Sequence, residues 1–292
     1  MKPRVHCLIA FTALLSAPEV LRADSAIHPT NSYAWAGNAG WVNFRADGIN
    51  GVVIGEYVCS GYAYAGNFGW IHFGDGAPAN GINYQNNSAS DFGVNHDGVG
   101  NLSGYAYGAN IGWVNFGWAS TNDANRPRFD LATGQFSGFA YSANVGWLNL
   151  GSGYLVTNSV RTTDADGDGI ADEWEMQHFG NLTTTTPSSD ADGDGSSDLQ
   201  EYLAATDPLN LASSFRVQSQ AFTASLTQAT IQFSTNATRR YRIMISPDLL
   251  MWSDSELGEF APDSGLSTTR VITFPSGPQK FFRVIASKPL QP

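Results

Sequence analysis

Sulfur and charge are both scarce in this chain. It has two cysteines, Cys7 and Cys59, in 292 residues, too few for a disulfide scaffold, so stability must come from core burial and bound metal. Only 14% of its residues are charged, and acidic residues outnumber basic ones 26 to 15. That balance argues against duplex nucleic acid, whose phosphates are gripped by lysine and arginine. No apolar run approaches the twenty or so residues of a membrane-spanning helix. His28, His72, His96 and His178 have no metal-protease spacing. A Gly-x-Ser-x-Gly elbow and a phosphate-cradling glycine loop are missing as well, so no catalytic centre is marked and a non-enzyme is expected. A polysaccharide-acting enzyme with paired carboxylates stays open as a lesser reading.

What the chain does have is aromatics, at 12%, and 31 glycines. That mixture predicts strands, tight turns and stacked rings, and a mainly β protein. At the start, Lys2 and Arg4 precede an apolar stretch over residues 5–17, followed by small residues around Ala23. This pattern predicts a cleaved signal peptide over residues 1–23, and so a secreted, extracellular or cell-surface protein. Its removal takes away Lys2, Arg4, Arg22 and Glu19 and moves the formal charge from −11 to −13.

Residues 24–160 contain an internal repeat. SYAWAGNAGWVNF from Ser32, GYAYAGNFGWIHFG from Gly61, GYAYGANIGWVNFG from Gly104 and GFAYSANVGWLNLG from Gly138 align without gaps. Each predicts a β-hairpin: aromatic and small residues alternate inward, an Asn-x-Gly turn follows, and alternation resumes outward. The turn asparagines are expected to bond their own backbone or adopt a left-handed conformation. Strand-like runs at residues 51–59, 92–95 and 128–131 precede the later copies, and residues 153–158 are expected to supply a strand for the first, closing the array. Cys59 stands where the later copies have Leu102 and Phe136, so it reads as a buried hydrophobe.

On the outgoing strands Trp41, Trp70, Trp113 and Trp147 share one face with Asn43, His72, Asn115 and Asn149. Two readings stand. The rings pack between repeats and the amides bond to neighbouring turns, giving a rigid spacer. Or the tryptophans are platforms for sugar rings, with the amides beside them to meet hydroxyls. Exposure of the indoles separates the two.

Residues 161–210 carry two acidic loops at a 26-residue offset, DADGDGIADEWE from Asp164 and DADGDGSSDLQE from Asp190. Both fill the twelve-position EF-hand pattern, which predicts two bound calcium ions. The expected ligands are Asp164, Asp166, Asp168, the Ile170 carbonyl, Asp172 and Glu175 in the first loop. In the second they are Asp190, Asp192, Asp194, the Ser196 carbonyl, Asp198 and Glu201. A hard cation takes six to eight oxygens, and glycine at position 6 permits the sharp turn that brings them together. Short helices are predicted over residues 173–179 and 199–205, sharing a small core of Trp174, Phe179, Leu199, Tyr202 and Leu203. From residue 211 to 292 alternating runs predict a small antiparallel β-sandwich of immunoglobulin or fibronectin III type, with its arginines on a solvated face.

The paired acidic loops, closed by EYLAATDP, resemble the calcium segment of many secreted bacterial proteins, related to EF-hand, dockerin and thrombospondin type 3 loops. The YRIMISPDLLMW run from Tyr241, with KFFRV from Lys280, is similar to the β-sandwich that often follows such segments. The four blocks resemble the GYAW…NxGWINFG repeats of exported bacterial proteins. The resemblance implies a surface or secreted multidomain protein. A calcium-binding structural or adhesion protein is expected, with polysaccharide or cell-surface components as its partners. A dockerin-like pairing with a cohesin is the weaker implication, because Glu at position 12 and the Thr-rich connector depart from that pattern.

Overall fold

A computed structural model describes residues 4–9, 25–47, 49–276 and 279–291 of the chain. The cleavage region of the expected signal peptide lies outside the described residues. The backbone of β1 (Arg4–Ile9) is described, as a strand running parallel to β20 (Gln279–Ser287).

The fold is mainly β, and the chain divides into two compact units. One contains the repeats up to residue 167 together with residues 171–182; the other contains residues 168–170 and 183–289.

In the first unit the four hairpins close into an eight-stranded antiparallel barrel. They are β2 (Ile27–Ala36) with β3 (Gly40–Asn43), and β5 (Cys59–Ala65) with β6 (Gly69–Asp75). The third and fourth are β8 (Leu102–Gly108) with β9 (Gly112–Asn115), and β12 (Phe139–Ser142) with β13 (Gly146–Asn149). The four seams between hairpins are equivalent: Asn43 faces Tyr64, His72 faces Tyr107, Asn115 faces Tyr141 and Asn149 faces Trp35. Closure is therefore made by β13 on β2. The strand expected at residues 153–158 forms as β14 (Leu155–Thr157), but it pairs with the earlier part of β2 and the ring closes without it.

Period-two alternation decides what fills the barrel. Incoming strands point alanines inward, Ala34, Ala63, Ala106 and Ala140, while outgoing strands point in Val42, Ile71, Val114 and Leu148, all buried. A second inner layer holds Phe44, Phe73, Phe116 and Leu150, with Phe73 5.2 Å from Phe44 and 5.4 Å from Phe116 by ring centroid. Eight strands leave an interior just wide enough for side chains, and small residues opposite large ones fill it. Such an apolar interior is the reverse of a membrane porin, whose lumen is polar. Cys59 is fully buried in this core, and burial pushes its thiol up to about 12.

The hairpin turns depart from the sequence expectation in one respect. Asn67, Asn110 and Asn144 do not bond their own backbone; their amides donate to Ala39, Phe68 and Ile111 carbonyls in the preceding turn. Asn38 stands beside Gly146 as Asn67 stands beside Gly40, so the amides ring one end of the barrel. Each buries an otherwise open turn carbonyl in a hydrogen bond, which local sequence spacing cannot reveal.

His96, on β7 (Val94–His96), is buried beside this barrel. Its Nδ1 lies 3.0 Å from the Gly55 carbonyl, and its Nε2 accepts from the Gly100 N–H at 3.0 Å. That pairing fits the neutral ring protonated at Nδ1 and leaves no place for a second proton. Burial holds its pKa below the usual value, outweighing the nearby Asp97 and Glu56. A histidine with a depressed folded pKa stabilises fully above its unfolded pKa of about 6.5, and the contribution is lost as pH falls below that value. The barrel should accordingly lose up to ~1.4 kcal/mol per pH unit from this group on acidification. Urea midpoints at stepped pH check this: the slope below neutrality should flatten in His96→Gln, and an unchanged slope would refute the assignment.

In the second unit β15 (Val217–Phe222), β16 (Gln228–Ser234) and β19 (Ser267–Thr273) form one sheet. β17 (Arg240–Ser246), β18 (Ser253–Asp254) and β20 join β1 in the other. Phe233, Tyr241, Ile243, Phe282 and Val284 are among the residues of its core. Arg239 departs from the expected solvated face. It is buried, and its guanidinium donates to the carbonyls of Tyr202 and Leu203. Those carbonyls lie in the last turn of a helix, where a cation is favoured.

Candidate functional site

Two features carry chemistry, the outer wall of the barrel and the acidic loops. The wall follows from the same alternation that fills the core: when alanine and valine face in, tyrosine and tryptophan must face out. Trp41, Trp70, Trp113 and Trp147 are 45–47% exposed. They are therefore not packed away between repeats.

Each indole is held edge-on by the two outward aromatics of its own incoming strand. The second of these lies 4.9–5.0 Å away and the first 6.0–6.4 Å, in all four hairpins. Such cross-strand aromatic contacts fix ring orientation without covering the outer face.

Two of the three amides expected beside the platforms are engaged elsewhere. Asn43 accepts from Arg45 N–H and donates to the Ala46 carbonyl, and Asn115 accepts from Gly117 N–H. They shape the chain leaving the strand. His72 instead lies flat on Tyr62, centroids 4.5 Å apart at 15°, and is half-buried, which lowers its pKa.

Aromatics from the linkers join three of the four platforms, and the repeat pattern did not single them out. Tyr154 meets Trp41 at 5.6 Å, Phe92 meets Trp113 at 5.0 Å and Trp118 meets Trp147 at 4.8 Å. They lie in connecting segments of unequal length, so no fixed offset marks them. Tyr33, Trp41 and Tyr154 together line an apolar cleft of about 380 Å³.

The acidic loops share one backbone scheme. In each, the position-4 glycine donates to the first aspartate (Gly167 to Asp164, Gly193 to Asp190) and the position-7 N–H to the fifth (Ile170 to Asp168, Ser196 to Asp194). The alanine at position 2 donates to the ninth-position aspartate, Ala165 to Asp172 and Ala191 to Asp198. Gly169 and Gly195 take φ of +91° and +94°, the left-handed turn expected at position 6. Oxygens of Asp164, Asp166 and Asp168 lie within 4.8 Å of one another, as do those of Asp190, Asp192 and Asp194. Glu175 and Glu201, the last expected ligands, are fully buried.

Proximity of acids is common without a metal, so the second loop is the more telling. Asp192, Asp198 and Glu201 each spend one oxygen on a protein donor, and the other is buried with no hydrogen-bond partner among the described residues. A buried carboxylate oxygen left unpaired is costly. Burial, aided by the charges of Asp192, Asp194 and Asp198, pushes Glu201 up to about 7. The donor set is all oxygen, which fits a hard divalent cation, and such an ion would offset both penalties.

Short helices follow both loops, α1 (Asp172–His178) and α2 (Asp198–Ala204), the latter opened by a Ser197–Gln200 capping box and closed by Ala205 in the left-handed conformation. Trp174 packs with His178 and Phe179 in the unit of the barrel, whereas Tyr202 is buried beneath Arg239 and Lys288 in the other.

Compared with known proteins, the chain matches no family model, no curated protein and no solved structure.

Proposed function

We propose that the chain is an exported, non-enzymatic carbohydrate-binding protein, with the barrel wall as its binding surface and two calcium ions stiffening the acidic segment. The observation that carries this reading is the half-exposure of all four repeat tryptophans in one recurring orientation. Exposed aromatics cost solvation unless something uses them, and a band of rings is suited to the apolar C–H faces of sugars. The acidic balance of the chain, −11 overall, favours neutral polymers over sulfated or uronic ones. Extracellular calcium, at millimolar level, would suit loops of modest affinity.

A calcium-stiffened structural or adhesion protein without a sugar ligand is the second reading. It is supported by the unpaired buried oxygens of Asp192, Asp198 and Glu201, which a cation would pair whatever the barrel does. A glycan and polysaccharide array probed with the protein, in millimolar calcium and again in chelator, discriminates between the two. Binding to neutral glycans is the expected result, and a blank array would leave the structural reading standing.

A further inference from the structure

The four platforms repeat in their strands and differ in their surroundings. At the third, Phe92 leans on Trp113 and also reaches Tyr107 and His72. At the fourth, Trp118 lies against Trp147 with its indole N–H already bonded to the Phe139 carbonyl. Neither of these neighbours offers a spare polar group. Among the described residues, the aromatics against Trp70 at the second platform are its own strand tyrosines, Tyr62 and Tyr64.

The first differs in shape. Tyr154, from outside the eight barrel strands, encloses Trp41 with Tyr33 in a cleft, and both tyrosines bring hydroxyls that have no partner among the described residues. Tyr154 is also fixed in place before any ligand arrives: its carbonyl accepts from Tyr33 N–H at 2.7 Å, and Ser152 donates to the Tyr33 carbonyl at 3.0 Å. A preformed site avoids the ordering cost that a loose aromatic loop would meet on binding.

From this we infer that the cleft of Trp41, Tyr33 and Tyr154 is the principal subsite and takes a neutral β-linked gluco-oligosaccharide; the inference rests on the carbohydrate-binding reading above. A β-glucose ring carries its hydroxyls equatorially. It therefore presents C–H groups on both faces and donors and acceptors around its edge, matching an indole with phenol hydroxyls beside it. The volume of about 380 Å³ suits a short stretch of chain. The other three tryptophans, spaced around a closed barrel, face different directions, so they serve as separate secondary contacts and do not extend one continuous track.

The test is titration of the full protein with cellohexaose, followed by isothermal calorimetry, beside Trp41→Ala, Tyr154→Ala, Trp70→Ala and Trp113→Ala. Tyr154 lies outside the eight barrel strands, so its variant keeps the test valid should Trp41→Ala fold poorly. Trp41→Ala and Tyr154→Ala should each weaken binding by roughly tenfold or more, and Trp70→Ala and Trp113→Ala, as secondary contacts, by only about twofold. Equal losses at all four sites, or losses only at Trp70 or Trp113, overturn the subsite and leave the carbohydrate reading intact. Binding of other neutral glycans on the array with none of cellohexaose overturns the gluco assignment. Absence of binding to every glycan removes both.

Discussion

Chelating calcium is expected to lower the unfolding temperature of the unit that holds residues 183–289 by about 10–20 °C. The estimate follows from a site filled at a hundredfold over its Kd, worth ~2.7 kcal/mol, at ~4–8 °C per kcal/mol for a unit of this size. The link to the sandwich is direct. Glu201, the last expected ligand of the second loop, is followed at once by Tyr202, whose carbonyl accepts from Arg239, and Ala204 belongs to the sandwich core. Filling the loop therefore holds α2 in the position that the core requires. Glu201→Gln should remove most of the calcium shift. Because Glu201 is raised to about 7 without metal, calcium must displace a proton below that pH, so the calcium increment should grow as pH rises through about 7. Differential scanning calorimetry in calcium and in chelator, at stepped pH, reads both effects. A calcium increment of zero would sink the metal assignment.

The second large effect belongs to the barrel. Gly104 has φ of +84°, and a Cβ there would lie 2.3 Å from the Gly93 carbonyl oxygen; Gly61 and Gly138 repeat this against Gly51 and Arg126. Gly104→Ala must both strain the backbone and push β8 away from its neighbour. We expect a loss of about 3 kcal/mol or more, seen as a fall in the urea midpoint. Gly66→Ala, with nothing within 4 Å and no positive φ, serves as the near-neutral control. Equal effects at the two positions would contradict the close approach.

Much of this architecture is legible in the sequence because the information is local. Alternation in GYAYAGNFGWIHFG places Ala63 and Ile71 inside and Tyr62 and Trp70 outside without any tertiary knowledge. The acidic loops are legible for the same reason, since all of each ligand set falls within twelve positions. Contacts between distant segments are not. The pairing of Asn149 with Trp35 closes the barrel, yet no residue near either end announces it. The amide of Asn110 reaches the Phe68 carbonyl of another hairpin, a bond that looks like ordinary turn chemistry until the barrel is formed. Arg239 lies just ahead of β17, where strand alternation no longer assigns a face, and its partners are helix carbonyls more than thirty residues earlier. Tyr154 was equally hidden, because its role depends on which strand β14 joins.

The account rests most heavily on the outward tryptophans as a sugar-binding surface. Its most direct test is retention of the protein on insoluble neutral polysaccharide, wild type beside a variant with Trp41, Trp70, Trp113 and Trp147 all changed to alanine and shown by circular dichroism to keep its strands. Retention of the wild type with loss in the variant is the predicted result. Equal retention of the two proteins, or of neither, would contradict it.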